Sequence, residues 1–330
     1  GIGSEHEHEG FTEDYHLPND TAYAETCAAI GSIFWNQRLF ELTAERAYAD
    51  LIERTLYNGF LSGISFGGDR FFYVNPLETD GDHHRKEWFY VACCPPNAAR
   101  LLASLERYVY ARGTDGNALY INQFVGSTVE TELGDATVSL RQSTDYPWAG
   151  ESTITFTHDE SVSFDLRVRV PEWTDDFEVR INGEAVSEGA TDGYVSIDRT
   201  WTAGDEVSLS FSLPIDTLAA NPRVREDAGR VALRRGPLVY CFEEADQSVP
   251  VQGLSVSDVE SFDPEHDPEL LGGVTRLRGS GSAVDLDDWD ESLYRSTDEI
   301  ERRDTEIIAV PYYAWDNREP GAMSVWLPRT

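Results

Sequence analysis

The stretch PPNAARLLASLERYVYARGTDGNALYINQFVGSTVE, residues 95–130, contains the one change of grammar in this chain. Up to Gly113 its apolar residues recur at helical spacing, and two prolines open the run as favoured first-turn residues. After Gly113 the residues alternate in short runs, as half-buried strands do. Upstream, CAAIGSIFWNQRLFELT (27–43) and AERAYADLIERTLYNGFLSG (44–63) carry the same helical period. Downstream, ATVSLRQS, STITFTH, SFDLRVRVP, FEVRING, YVSIDRTW and EVSLSFSLP are short strands divided by Gly, Asp, Asn and Pro. So many short strands at this spacing predict a β-sandwich. A further β-rich stretch, GRVALRRGPLVYCFEE (229–244), precedes an acidic segment of weak periodicity from about 246 to 303. The end, EIIAVPYYAWDNREPGAMSVWLP, reads as two strands around an Asn/Gly turn. The fold class is therefore α + β and multidomain: a helical part over residues 1–114, a sandwich over 115–225 and a second β-rich region over 226–330 that partly returns to its neighbours. The helical part is small for its own architecture, and its long aromatic connection at 63–92 suggests that further helices belong with it.

Composition narrows the function classes. Asp and Glu number 60 against 26 Lys and Arg, a formal charge of -34, and Lys86 is the only lysine. Such a surface stays hydrated where high salt screens its self-repulsion, a halophilic signature. Nucleic acid is not expected as a partner, because phosphate binding needs basic patches that the sequence does not display. No apolar run approaches the roughly 20 residues that span a bilayer, so a soluble chain is expected, and a membrane partner is not. Four cysteines in 330 residues do not make a disulfide framework.

Their placement matters more. Cys93 and Cys94 stand at a helix N-terminus, where the macrodipole and free N–H groups favour a thiolate. Glu25 and Cys27 lie two apart, on opposite sides of a regular helix. If Thr26 caps that helix, however, the backbone changes direction between them and both can face one point. Three thiolates and a carboxylate would complete a tetrahedral Zn2+ shell. Other readings stay open: Cys27 as a small buried apolar residue, and Cys93–Cys94 as a vicinal disulfide or inert thiols. Cys241, inside a strand, reads as core. His83 and His84, in a loop, read as solvent-exposed.

Five ordered motifs resemble glycoside hydrolase family 127, the β-L-arabinofuranosidases: residues 1–28 ending in AETCA, LIERTLYNGFLSGIS (51–65), FFYVNPLE (71–78), ACCPPNAARLLASL (92–105) and PYYAWDNREPGAMSVW (311–326). The resemblance implies an (α/α)6 barrel followed by β-sandwich domains. Members are roughly twice as long, so it implies only the C-terminal helices of that barrel. It implies zinc held by Glu25, Cys27, Cys93 and Cys94, with Cys93 as nucleophile and Glu9 as general acid/base of a retaining hydrolysis. Glu53 and Tyr73 fall in matched motifs and are expected to bind furanose hydroxyls. Glu9 also sits in EHEHEG, an alternating polar run that reads as a frayed terminus, and Glu53 reads equally as part of a solvated helix face.

The implied partners are a carbohydrate substrate and a chain supplying the first half of the barrel, with a homodimer as another way to cover exposed helices. The implied location is cytoplasmic, where zinc thiolates stay reduced. Two other functions stay open: a noncatalytic carbohydrate-binding remnant, and a zinc-thiolate redox sensor.

Overall fold

The structure, a computed structural model, describes residues 10–187, 189–286, 289 and 292–330. Glu9 lies outside the described residues. A few helices and many strands build an α + β chain of two compact units.

The first unit comprises residues 10–30, 56–98 and 215–330. It contains the start of helix α1 (Thr26–Thr43) and the start of helix α3 (Cys94–Leu102). Its sheet has nine strands among the described residues. Their central order is Met323–Ser324, Leu238–Glu243, Arg302–Pro311, Val274–Val284 and Leu254–Asp267. The last two long strands occupy the acidic segment that shows little periodicity. There the outward positions carry charges, and Glu265 pairs with Arg276 and Arg278 across the ladder, which hides the apolar alternation on the inner face. Phe72, Cys241, Val310, Tyr312, Trp315 and Met323 form one core, so Cys241 is core as expected.

The second unit comprises residues 31–55 and 99–214. It includes helix α2 (Arg46–Arg54) and two sheets. One runs Tyr194–Trp201, Val162–Arg169, Ala118–Ile121, Tyr110–Arg112, and its 118–121 and 162–169 strands pair in parallel. The other is antiparallel and holds Ser127–Leu133, Ala136–Thr144, Glu151–Phe156, Glu206–Phe211, Phe177–Ile181 and Glu184–Ala185. Phe156 of this sheet meets Phe164 and Trp201 of the first, at 5.8 and 4.5 Å between ring centroids.

Helix α3 ends earlier than the Gly113 stop suggests. The chain tightens to i→i−3 bonds at Ser104 and Leu105, makes the short helix α4 (Glu106–Val109), and becomes strand at Tyr110–Arg112. The Tyr-Val-Tyr run favours pairing with 118–121 over another helical turn.

Helix α1 is apolar on two faces. Ile30, Ile33 and Phe40 are buried, whereas Ala28, Gly31, Trp35, Arg38 and Leu42 form an exposed stripe at steps of three and four residues. Trp35 is 67 % and Leu42 81 % exposed, and a Cβ on Gly31 would meet nothing within 4 Å.

Candidate metal centre

Two helix starts converge within the first unit. Glu25 is still extended, bridging to Val74, while its carbonyl accepts the first helical bond from Ala29 N–H at 3.0 Å. Glu25 therefore occupies the N-cap position of α1. This corrects the expectation for Thr26: its hydroxyl donates to Phe72 O at 2.8 Å and accepts from Asn75 Nδ2 at 3.0 Å instead of capping its own helix. The consequence anticipated from a cap holds all the same, because the backbone turns between Glu25 and Cys27 and brings both side chains to one side. Cys93 stands in the same relation to α3, its carbonyl accepting from Asn97 N–H at 3.2 Å, with Pro95 and Pro96 in the first turn.

Glu25, Cys27, Cys93 and Cys94 each present one donor atom, all within 4.8 Å of one another. Cys27 Sγ lies 3.6 Å from Cys94 Sγ, Cys93 Sγ 3.7 Å from Cys94 Sγ, and Cys93 Sγ 3.7 Å from Glu25 Oε1. A tetrahedral zinc with Zn–S bonds of about 2.3 Å has ligand–ligand edges of about 3.8 Å. The donor set and its spacing therefore fit Zn2+, and all four cysteines of the chain are free thiols.

Burial pushes the Cys27 thiol up to about 11, against an opposing hydrogen bond from the Asn97 side chain. Burial, then the neighbouring Cys27, raises Cys94 further still. A hydrogen bond to Cys93, then burial and a bond to Tyr23, raises the Tyr73 phenol. Tyr73 is positioned by backbone pairing, its carbonyl accepting from Thr26 N–H at 3.0 Å. The structure thus brings Tyr73 to the cluster. Asn97, Tyr23 and Phe89, whose ring meets Tyr73 edge-on at 5.7 Å, were not singled out from the sequence. Asn97 stands in the CCPPN motif itself, which is the signal that could have found it.

Glu53 lies in the second unit and is not on a solvated face: it is 2 % exposed. Arg169 Nη2 and Tyr146 Oη donate to its Oε1 at 2.5 and 2.8 Å, and Trp173 Nε1 donates to Oε2 at 3.2 Å. Asp50 joins the network through Arg169 Nη1 at 2.5 Å. His83 and His84 are half-buried, contrary to the expectation of exposure. His83 stacks on Phe72 at 5.0 Å, and His84 Nδ1 bonds Asp316 Oδ1 at 2.7 Å. The segment 312–318 folds back behind them, which no local pattern announces.

Residues 1–107 match the catalytic domain of the GH127 β-L-arabinofuranosidases, 118–213 their middle domain, and 215–328 the C-terminal domain of glycoside hydrolase family 127. The non-reducing end β-L-arabinofuranosidase of Bifidobacterium longum subsp. longum is 37 % identical over 99 % of this chain and 52 % of its own length. The crystal structure of a GH127 β-L-arabinofuranosidase from Geobacillus stearothermophilus T6 superposes on the whole chain and on 54 % of its own, with a TM-score of 0.93 and 42 % identity. A solved GH127 β-arabinofuranosidase gives a TM-score of 0.91 and 37 % identity, again over the whole chain and 53 % of its own. The chain spans about half the length of the relatives it matches.

Proposed function

Because this chain belongs to glycoside hydrolase family 127, we propose that it carries the zinc–thiolate centre of a retaining glycosidase acting on β-L-arabinofuranosides. The four-donor cluster at tetrahedral spacing, with Tyr73 on Cys93, carries this reading. Glu25, Cys27, Cys93 and Cys94 would hold the zinc. When bound, the metal would supply the positive charge that holds sulfurs as thiolates, a form that burial opposes at Cys27 and Cys94.

Cys93 Sγ attacks the anomeric carbon as Glu9 protonates the departing oxygen, so a C–S bond replaces the C–O bond. Glu9 then takes a proton from water, which attacks the same carbon, and the Cys93 thiolate leaves. Two displacements retain the anomeric configuration. Tyr73 donates to the sulfur and stands where a furanose hydroxyl can share that bond, and Glu25 lies within reach of the same sugar. Glu53, in the second unit, would contact a sugar only by exchanging Arg169, Tyr146 or Trp173 for a sugar hydroxyl.

In this proposal helices α1 to α4 are the C-terminal part of an (α/α)6 barrel, followed by β-sandwich domains. In this reading the Ala28–Gly31–Trp35–Leu42 stripe would meet further helices of such a barrel, on the same polypeptide or on a separate one. A second copy of this chain is the competing occupant. The acidic surface suits a salt-accumulating cytoplasm.

Metal analysis of the purified chain in molar KCl tests the centre. About one zinc per chain is expected in wild type and none in Cys94→Ala. Aryl β-L-arabinofuranoside hydrolysis, with the other half supplied, should then vanish in Cys93→Ser and Glu9→Gln. Absence of zinc from the wild type refutes the metal centre. Turnover indifferent to Cys93→Ser refutes the nucleophile and favours a carbohydrate-binding role, and zinc release by oxidant with no sugar dependence favours a redox sensor.

A further inference from the structure

Buried side-chain acceptors normally find a donor. Gln37, in the second half of α1, is 8 % exposed, and its Oε1 has no hydrogen-bond partner among the described residues. Its Nε2 donates to Glu41 Oε1 at 3.4 Å, which fixes which end of the amide is the acceptor. Gln37 lines a cleft of about 730 Å3 that lies wholly inside the second unit. That volume falls within the range of small-ligand sites. The C-terminal turn of α1 lines the same cleft, and the last carbonyl groups of a helix have no partner within it. The helix therefore offers the cleft acceptors.

The cleft also carries cations. Arg107, Arg112 and Arg167 line it against two acids, Glu41 and Asp115, in a chain whose acids outnumber its bases 60 to 26. Both acids are engaged elsewhere: Arg38 Nη1 lies 3.2 Å from Glu41 Oε2, and Asp115 Oδ1 accepts the Asn117 backbone N–H at 3.1 Å. Neither Arg107 nor Arg112 has a carboxylate within ion-pair distance among the described residues, and Arg112 donates to the Glu132 carbonyl at 3.2 Å. Arg167 is held in place by Asp165, 2.6 Å from its Nε, by the Tyr120 hydroxyl, and by lying 5.1 Å from the Tyr120 ring centroid. Phe40 and Tyr194 fix that ring edge-on, at 5.9 and 5.4 Å. Arg167 is thus set before any ligand arrives, with its Nη2 unpaired among the described residues.

We propose that this cleft binds a uronic acid unit, a sugar whose ring hydroxyls stand beside one carboxylate. The arginines take the carboxylate, which their forked N–H groups match. A ring hydroxyl donates to Gln37 Oε1 and removes the cost of leaving that acceptor buried and unpaired. A neutral sugar leaves the arginines without an anion, and a simple carboxylate leaves Gln37 without a donor. The assignment uses neither the metal cluster nor the glycosidase reading.

The chain is titrated in molar KCl, where repulsion from its acidic surface is screened to within a few Å, and binding is followed by saturation-transfer NMR. D-glucuronate and D-galacturonate are compared with D-glucose, D-galactose and acetate. At least one uronate should bind about tenfold more tightly than its neutral counterpart and than acetate, the effect of one well-placed hydrogen bond to a charged group. Arg107→Gln, at an exposed position, should cancel the preference over the neutral sugar. Gln37→Leu keeps the size of the side chain and removes the orphan acceptor, so uronate affinity should fall about tenfold, with the unfolding temperature recording that the variant folds. Uronate affinity unchanged in either variant overturns the site. Acetate bound as tightly as the uronates, an adventitious ion only, overturns it too, as does a wild type that binds neither uronate.

Discussion

Replacing Arg169 by methionine tests how Glu53 is used. Arg169 is fully buried and donates to Asp50 Oδ1 at 2.5 Å, Glu53 Oε1 at 2.5 Å and the Asn122 carbonyl at 2.6 Å. Methionine fills much of the same space against Phe124 but leaves two buried carboxylates without their shared cation. Removing one partner of a buried ion pair costs about 3–5 kcal/mol, and Arg46, 3.1 Å from Asp50 Oδ2, with Tyr146 and Trp173 on Glu53, keeps the loss within that range. At about 2–4 °C per kcal/mol, the melting temperature of the unit falls by about 6–20 °C. Burial raises the Asp50 carboxyl above its usual range, with Arg169 opposing and Glu53 adding to the shift. A raised folded-state value means that this group contributes stability below the unfolded value of about 3.9, and that the contribution is lost as pH rises through the folded one. Without Arg169 only Arg46 still opposes the rise, so the deficit of the variant is largest near neutrality and shrinks toward pH 4. Calorimetry of Arg169→Met across that range, with and without Asp50→Asn and Glu53→Gln, reads both effects. The two neutralising changes should recover at least half of the loss. A drop below about 3 °C, or a triple variant no better than the single, refutes the network and releases Glu53 for direct contact with sugar.

Three further outcomes follow from particular contacts. A Cβ at Gly63 would stand 2.5 Å from Thr26 Oγ1 and 2.7 Å from its Cγ2; Gly63→Ala should cost about 1–3 kcal/mol and weaken zinc retention, because Thr26 sits between two ligands, and chelator competition reads the second effect. The charge of -34 should make unfolding strongly salt-dependent, with the melting temperature rising as KCl goes from about 0.01 to 1 M and the screening length falls from about 30 to 3 Å; a flat response refutes the halophilic reading. Trp35→Arg should abolish self-association, or docking of a partner helix, without loss of zinc, as sedimentation and metal analysis together would show.

Strand identities were legible where a strand alternates on its own, and so was the convergence of Glu25, Cys27, Cys93 and Cys94, because two short motifs hold them. Pairing at a distance was not. The acidic strands Leu254–Asp267 and Val274–Val284 look like loop until cross-strand ion pairs such as Glu265–Arg276 explain why charges tolerate the ladder. Glu53 looks solvated because Arg54 follows it, and only Arg169, 116 positions away, accounts for its burial. His84 looks exposed because its partner Asp316 arrives with the last strands of the sheet. In each case the deciding residue is polar and remote, and period-based reading detects neither property.

The cluster and the exposed face of α1 differ in what they require. Every support of the ligands is short and internal to one unit: Glu25 bridges Val74, Thr26 bonds Phe72, Asn97 closes on Cys93, and Tyr73 is pinned by Thr26. None of these contacts waits for another polypeptide, so metal capture should be complete in the 330 residues present. The catalysis proposed would ask for more, since a glycosyl transfer to sulfur would have to exclude bulk water and fix the sugar ring. The stripe through Trp35 and Leu42 marks where apolar cover is still wanted. A chain that binds zinc fully yet turns over substrate only with that cover is the behaviour this division predicts. Metal affinity and hydrolysis should therefore respond to different substitutions, Gly63→Ala acting on the first and Trp35→Arg on the second.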